Sequence, residues 1–152
     1  MQKWGPITWN LFHTMAEKIK DDKYDQYFPE LWKHFTRICH SLPCPHCSEH
    51  ATHYIKQYRQ SQFKNKELFK IFIFQFHNQV NVNTSKDVQK VDILKKYRKV
   101  KLSETFNDFI CEWKYQTNQK NMNFIAHNFI RKQTIKDFHV WFYSNLEIFD
   151  FS

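Results

Sequence analysis

Apolar side chains recur every three or four residues along nearly the whole chain, the spacing that lines one face of a helix. Residues 6–20 place Trp9, Phe12, His13 and Ala16 on one face, and Pro6 suits an early helical position. Residues 29–41 repeat the pattern through Leu31, Trp32, Phe35, Ile38 and Cys39, and Pro43 ends it. The period predicts further helices over 45–60 and 66–81 and a shorter one over 86–99. Beyond Leu102 it predicts three more, over 103–115, 123–132 and 134–148. Ser103, followed by Glu104 and Asn107, makes a reasonable helix start.

Composition supports an all-α reading. The 152 residues include 1 Gly and 4 Pro, too few breakers for a turn-rich β-sandwich or barrel. A hydrophobic fraction of 41% with 18% aromatics argues against disorder. The chain divides into a core over 1–100 and a helical tail over 101–152. The tail carries Phe106, Phe109, Trp113, Phe124, Phe129, Phe138, Trp141, Phe142, Phe149 and Phe151. Those rings must be buried on the core, on the tail itself or on a partner. No apolar run is long enough to span a bilayer, so no membrane association is expected. Met1-Gln-Lys-Trp-Gly-Pro lacks an apolar leader segment, which makes a cytosol-like compartment the expectation.

The net charge of +8 admits nucleic acid, acidic membranes or acidic proteins as partners. The densest basic stretch holds Lys95, Lys96, Arg98, Lys99 and Lys101, interleaved with Val91, Ile93, Leu94 and Tyr97. It reads as a solvated helix face or as a phosphate-binding strip.

The chemistry lies in Ser41-Leu-Pro-Cys-Pro-His-Cys-Ser-Glu-His-Ala51. Cys44 and Cys47, at i and i+3, share a helix face and can close a small disulfide loop. Pro45 suits a first helical turn, which sets Cys44 at the positive end of the helix dipole, where a thiolate is favoured. Such a pair can cycle between dithiol and disulfide. Cys44, Cys47, His50 and His53 are also conceivable zinc ligands, although zinc modules usually divide their ligands between two elements. Cys39 and Cys111 read as small buried hydrophobes. Two further patches set His13 one turn beyond Trp9, and Asn81 one turn beyond His77. Taken singly, each could be a core Trp with a capped His, or an Asn-rich helix end.

Three motifs taken together resemble the Erv/ALR family of FAD-linked sulfhydryl oxidases. They are Trp4-Gly-Pro with Trp9 and His13, Leu-Pro-Cys44 with Cys47 and His50-Ala, and Phe-His77-Asn78 with Val80, Asn81 and Lys86. The order and spacing agree from residue 4 to about 99 and look most like members encoded by large cytoplasmic DNA viruses. The resemblance implies a four-helix bundle plus a short fifth helix, here with a helical extension, enclosing FAD and pairing as a homodimer. It implies Cys47 as the thiol next to the flavin and Cys44 as the one that exchanges with substrate. It implies a cofactor site of Gly5, Thr8, Trp9, His13, Cys47, His50, His77, Asn78, Val80, Asn81, Lys86 and Tyr97, with no metal. Gly5 and Thr8 would allow close approach, and Lys86 and Tyr97 would meet the adenosine and pyrophosphate.

The partners implied are protein dithiols, directly or through a thioredoxin-like carrier, and molecular oxygen, with no nucleic acid. The setting implied is viral disulfide formation for virion proteins in the host cytoplasm or virus factory, with or without packaging in the virion. The pattern departs from the family in two ways: no second disulfide fixes the fifth helix, and the tail holds the single Cys111 instead of a shuttle pair. Asn83-Thr-Ser85 is a glycosylation sequon that would lie beside the cofactor. The rival reading is a basic, zinc-stabilised helical module for nucleic acid or protein, which leaves the Trp9/His13 and His77/Asn81 patches unexplained.

Overall fold

The computed structural model describes residues 3–118 and 125–152. Its helices are α1 (Trp4–Lys18), α2 (Asp21–His40), α3 (Pro45–Ile55), α4 (Lys66–Asn83), α5 (Leu102–Thr117) and α6 (Ile125–Ser144). Short 3-10 segments cover Gln60–Gln62, Val91–Arg98 and Leu146–Ile148. This is an all-α fold in which α1–α4 and the Val91–Arg98 segment are followed by a helical extension.

The boundaries follow local chemistry. The Asn65 side chain caps α4 by accepting from the Leu68 amide, a contact worth about 1 kcal/mol. Helix α2 starts at Asp21 instead of the expected residue 29, because Tyr24 and Phe28 extend the buried stripe of Leu31 and Phe35 by two turns. Pro29 sits inside that helix on its exposed side, where water serves the carbonyl that its missing N–H leaves unpaired. Helix α3 ends at Ile55, short of the expected residue 60, and Gln60–Gln62 forms a separate turn. The expected fifth helix over 86–99 is a 3-10 segment confined to Val91–Arg98. The two helices expected over 123–132 and 134–148 are one continuous α6 followed by a 3-10 turn. The expected start at residue 123, like Phe124, lies outside the described residues.

Helix α1 packs against α4, α5 and the Val91–Arg98 segment, while α2 packs against α3 and α6, and α5 packs on α6. One buried cluster joins the two parts of the chain. It runs from Phe12, Phe35, Phe69 and Phe76 to Phe106, Phe109, Trp113, Phe138 and Phe142 of the extension. Each such ring contributes about 1.5–3 kcal/mol by leaving water. The tail's rings therefore bury mostly on the core and on each other, although Phe129 stays 71% exposed and Phe151 42%. The C-terminus is tied back as well. Ile19 and Phe149 form an isolated antiparallel bridge, and the Lys18 ammonium donates to the carbonyls of Arg98 (2.8 Å) and Ser152 (3.1 Å).

Candidate functional site

Cys44 is the N-cap of α3 and is joined to Cys47 by a disulfide. The Cys47 amide donates to the Cys44 sulfur at 3.2 Å, and Pro45 occupies the first turn. Both sulfurs thus lie at the positive end of the helix, which favours the thiolate over the thiol when the bond is reduced. Both residues are half-buried. Zinc ligation by this pair would require that bond to open. Among the described residues no group of three or more His, Cys, Asp or Glu side chains is arranged to hold a metal ion.

A cavity of about 1040 Å³ opens beside the disulfide, at the upper end of the range for small-molecule sites. Its wall includes Cys47 but not Cys44. The wall brings together Gly5, Thr8, Trp9, His13, Cys47, His50, His77, Asn78, Val80, Asn81, Lys86 and Tyr97, contributed by α1, α3, α4 and the segment after α4. Every candidate cofactor residue therefore faces one space, although the motifs lie as much as 92 positions apart (97 − 5).

The rings in that wall form two stacks. Trp9 lies flat on His77, with centroids 4.2 Å apart and planes 7° from parallel. His13 lies on Tyr97 at 4.5 Å and 14°. His13 Nε2 and His77 Nδ1 are 2.9 Å apart, so one ring donates and the other accepts, a contact that two imidazolium ions could not make. Burial, reinforced by each other's field and by Lys96, lowers His13 to about 3. Burial, with Lys96 and Lys86 nearby, lowers His77 to about 4. Both rings are neutral at ordinary pH. Burial also pushes the Tyr97 hydroxyl upward, which keeps it protonated.

Some candidates have their polar groups committed elsewhere. The Thr8 hydroxyl donates to the Trp4 carbonyl (2.6 Å) and accepts from Trp113 Nε1 (3.0 Å). The Asn78 amide clasps Gln89 twice, donating to its carbonyl and accepting from its N–H, both at 2.9 Å. These residues shape the wall by fixing α1 to α5 and the 86–90 segment to α4. Others remain available. A Cβ added at Gly5 would meet nothing within 4 Å, so that edge is open to a close approach. Lys86 and Lys96 bring positive charge to the wall, where a pyrophosphate would be favoured.

The motif reading did not assign Trp4, Tyr54 or Lys96 to the wall, yet all three line it. Trp4 belongs to the Trp-Gly-Pro opening, and Tyr54 lies two helical turns beyond Cys47, stacked on Phe76 at 4.7 Å. Both carried a readable spacing signal. Cys39 is buried as expected from the apolar face of α2, and burial raises its thiol pKa. Cys111 is exposed on α5, against the expectation of a buried residue. It falls beside Ile110, outside the stripe of Phe106, Phe109 and Trp113 that faces the core.

An all-helical bundle that sets a CxxC disulfide in the wall of an aromatic, cation-edged cavity has the parts of a cofactor-linked thiol–disulfide oxidoreductase. Residues 6–100 match the Erv1/Alr family, and the chain belongs to that family. It is 28% identical over 99 residues to a protein of Invertebrate iridescent virus 6 provisionally named an FAD-linked sulfhydryl oxidase, covering 61% of this chain and 89% of that one. It is also 28% identical over 117 residues to proteins named FAD-linked sulfhydryl oxidase from two African swine fever virus isolates, Pig/Kenya/KEN-50/1950 and Warthog/Namibia/Wart80/1980. Those matches cover 74% of this chain and 98% of each relative. No solved structure matches the chain. Among the described residues no helix is long and apolar enough to cross a membrane.

Proposed function

We propose that this protein is an FAD-linked sulfhydryl oxidase that makes disulfides at Cys44 and Cys47 and passes the electrons to oxygen. The observation that carries the reading is the position of Cys47 in the wall of the one cavity that gathers all the candidate cofactor residues. The residues present fit FAD. Flat stacked rings suit its aromatic systems, Gly5 leaves an open edge, and Lys86 and Lys96 suit its pyrophosphate.

A substrate thiolate attacks the Cys44 sulfur, forming a mixed disulfide and releasing Cys47 as a thiolate. The second substrate thiol then displaces Cys44, so one substrate disulfide leaves and Cys44 and Cys47 are left reduced. The helix dipole holds the charge on Cys47 at the cavity wall. Framed by Trp9, His77, Lys86 and Lys96, FAD would supply the two-electron chemistry that links the reduced pair to oxygen, with hydrogen peroxide as the product. The disulfide closes again when Cys44 and Cys47 together give up two electrons and two protons to that acceptor. The neutral His13/His77 pair adds no positive charge to the wall and keeps the stacked rings in register.

Residues 1–100 serve as the cofactor-binding core and residues 101–152 as its support. Gly5, Thr8, Trp9, His13, His50, His77, Asn78, Val80, Asn81, Lys86 and Tyr97 frame the cofactor, and no metal takes part. The substrates are protein dithiols, reached directly or through a thioredoxin-like carrier. The relatives are viral proteins, and the reading extends to cytoplasmic disulfide formation for virion proteins by a homodimeric enzyme.

Dithiothreitol-driven oxygen uptake and peroxide formation by the flavin-loaded protein test this directly. Wild type should consume oxygen and form peroxide in equal amounts. Cys47→Ser should keep its flavin and lose turnover by about a thousandfold or more, as expected when a covalent catalytic group is removed. A Cys47→Ser protein that still turns over would remove the disulfide from the mechanism.

A further inference from the structure

The loop that delivers Cys44 is held by the C-terminal extension. Ser41 and Leu42 follow the last turn of α2 and lead through Pro43 into the disulfide. Arg131 of α6 reaches both of their carbonyls: Nε donates to Ser41 O and Nη2 to Leu42 O, each at 2.9 Å. Its remaining Nη1 donates to Asn128 Oδ1 at 2.7 Å. His127, one turn earlier on the same face, places Nε2 2.7 Å from Leu42 O. A carbonyl can only accept, so Nε2 carries the proton. Ser48, the residue after Cys47, adds a weaker hydroxyl bond to the same oxygen at 3.4 Å. Leu42 O is thus a node that joins the loop, α3 and α6 immediately before the disulfide.

The cation that makes this clamp is unusual for its burial. Arg131 is 2% exposed, and burial lowers it to about 10, still charged at ordinary pH. Among the described residues it has no carboxylate partner; its contacts there are two main-chain oxygens, an amide and the face of Trp113 at 6.0 Å. A buried charge is costly unless its hydrogen bonds are satisfied, and an isolated brace between two helices could be apolar at less cost. A guanidinium fork fixes two successive carbonyls in a plane, which an apolar contact cannot do.

We infer that Arg131, assisted by His127, is a positioning residue that fixes the Ser41–Leu42 carbonyls and through them sets the Cys44–Cys47 disulfide against the cofactor cavity. The inference rests on the reading of that disulfide as the catalytic centre. The extension beyond the family core thereby takes part in the reaction through geometry, without touching substrate or cofactor.

Rapid mixing of dithiothreitol with the flavin-loaded protein tests it, with the rate of flavin reduction expressed per bound flavin. Arg131→Lys keeps a cation but loses the fork, and should slow reduction about tenfold or more. His127→Ala should slow it less. Arg37→Ala breaks the 2.9 Å ion pair with Asp137 on the same helix pair but touches neither carbonyl, and should leave the rate unchanged. An Arg131→Lys rate within about twofold of wild type, or an equal loss in Arg37→Ala, would overturn the inference. If Arg131→Lys does not fold, His127→Ala decides: slowed reduction supports the clamp and an unchanged rate overturns it. Cys47→Ser in the same series separates the two readings. If Cys47→Ser reduces its flavin normally, the centre is misassigned and the clamp falls with it. If Cys47→Ser is silent while Arg131→Lys is normal, the clamp alone falls.

Discussion

His13 and His77 show what a residue's surroundings add to its identity. Each imidazole would be half-protonated near pH 6.5 in an unfolded chain, and burial holds both neutral in the fold, at about 3 and about 4. His34, packed on Trp141 at 4.9 Å, is lowered to about 4 by the same desolvation. The sign follows from proton binding. Between pH 6.5 and about 4 the unfolded chain takes up protons at these sites and the native protein does not, so stability falls as pH falls. The support is fully present above pH 6.5. The melting temperature should therefore decline from pH 6.5 toward about 5, above the main titration range of the carboxylates, and His13→Phe should flatten the decline. A melting temperature constant across that window would contradict the burial of the rings.

The same scale shows what a sequence can and cannot disclose. Trp9, His13, His77 and Asn81 are legible because each pair sits one helical turn apart and recurs in a known order. Arg131 and His127 are not. Their partners are backbone carbonyls as many as 90 positions away, and a carbonyl has no side-chain signature in sequence. A buried Arg without a nearby acidic partner in sequence looks like any solvated cation on a helix.

At the scale of elements, the helical period located the core of each α-helix among the described residues, and the errors fell where tertiary packing overrides local signals. The sequence reading divided the last part of the chain into helices over 123–132 and 134–148. In the fold α6 runs through that division, because Arg131, Thr134, Ile135 and Phe138 form one buried face. Thr134 there is a buried, packed side chain. Gln133 is exposed, with its side chain donating to Asp137 Oδ1 at 2.9 Å, so its replacement tests mainly the backbone. Gln133→Pro should cost about 3 kcal/mol or more by removing an intrahelical bond and clashing with the preceding turn. Chemical denaturation measures it, and a loss below about 1 kcal/mol would favour two helices meeting at that point. The 86–99 stretch failed as an α-helix for a related reason. The double clasp of Asn78 on Gln89 holds the chain extended until Val91, so only the last part can coil.

At the scale of the molecule, the extension and the family core form one hydrophobic cluster, and α5 lies along α1, the helix that supplies Trp9 and His13. The sequence indicated that the tail's rings must be buried, but not on which face. That choice depends on contacts between residues about a hundred positions apart, such as Trp113 with Thr8. The central claim is that this assembly holds the Cys47 sulfur against a bound flavin. The most direct measurement is the visible absorption spectrum of flavin-loaded Cys44→Ser, in which Cys47 has no disulfide partner. A broad charge-transfer band beyond the flavin's own visible bands, lost when Cys47 is also replaced, is the predicted result. A fully flavin-loaded Cys44→Ser protein without that band at any pH up to the thiol's ordinary titration range would contradict the account.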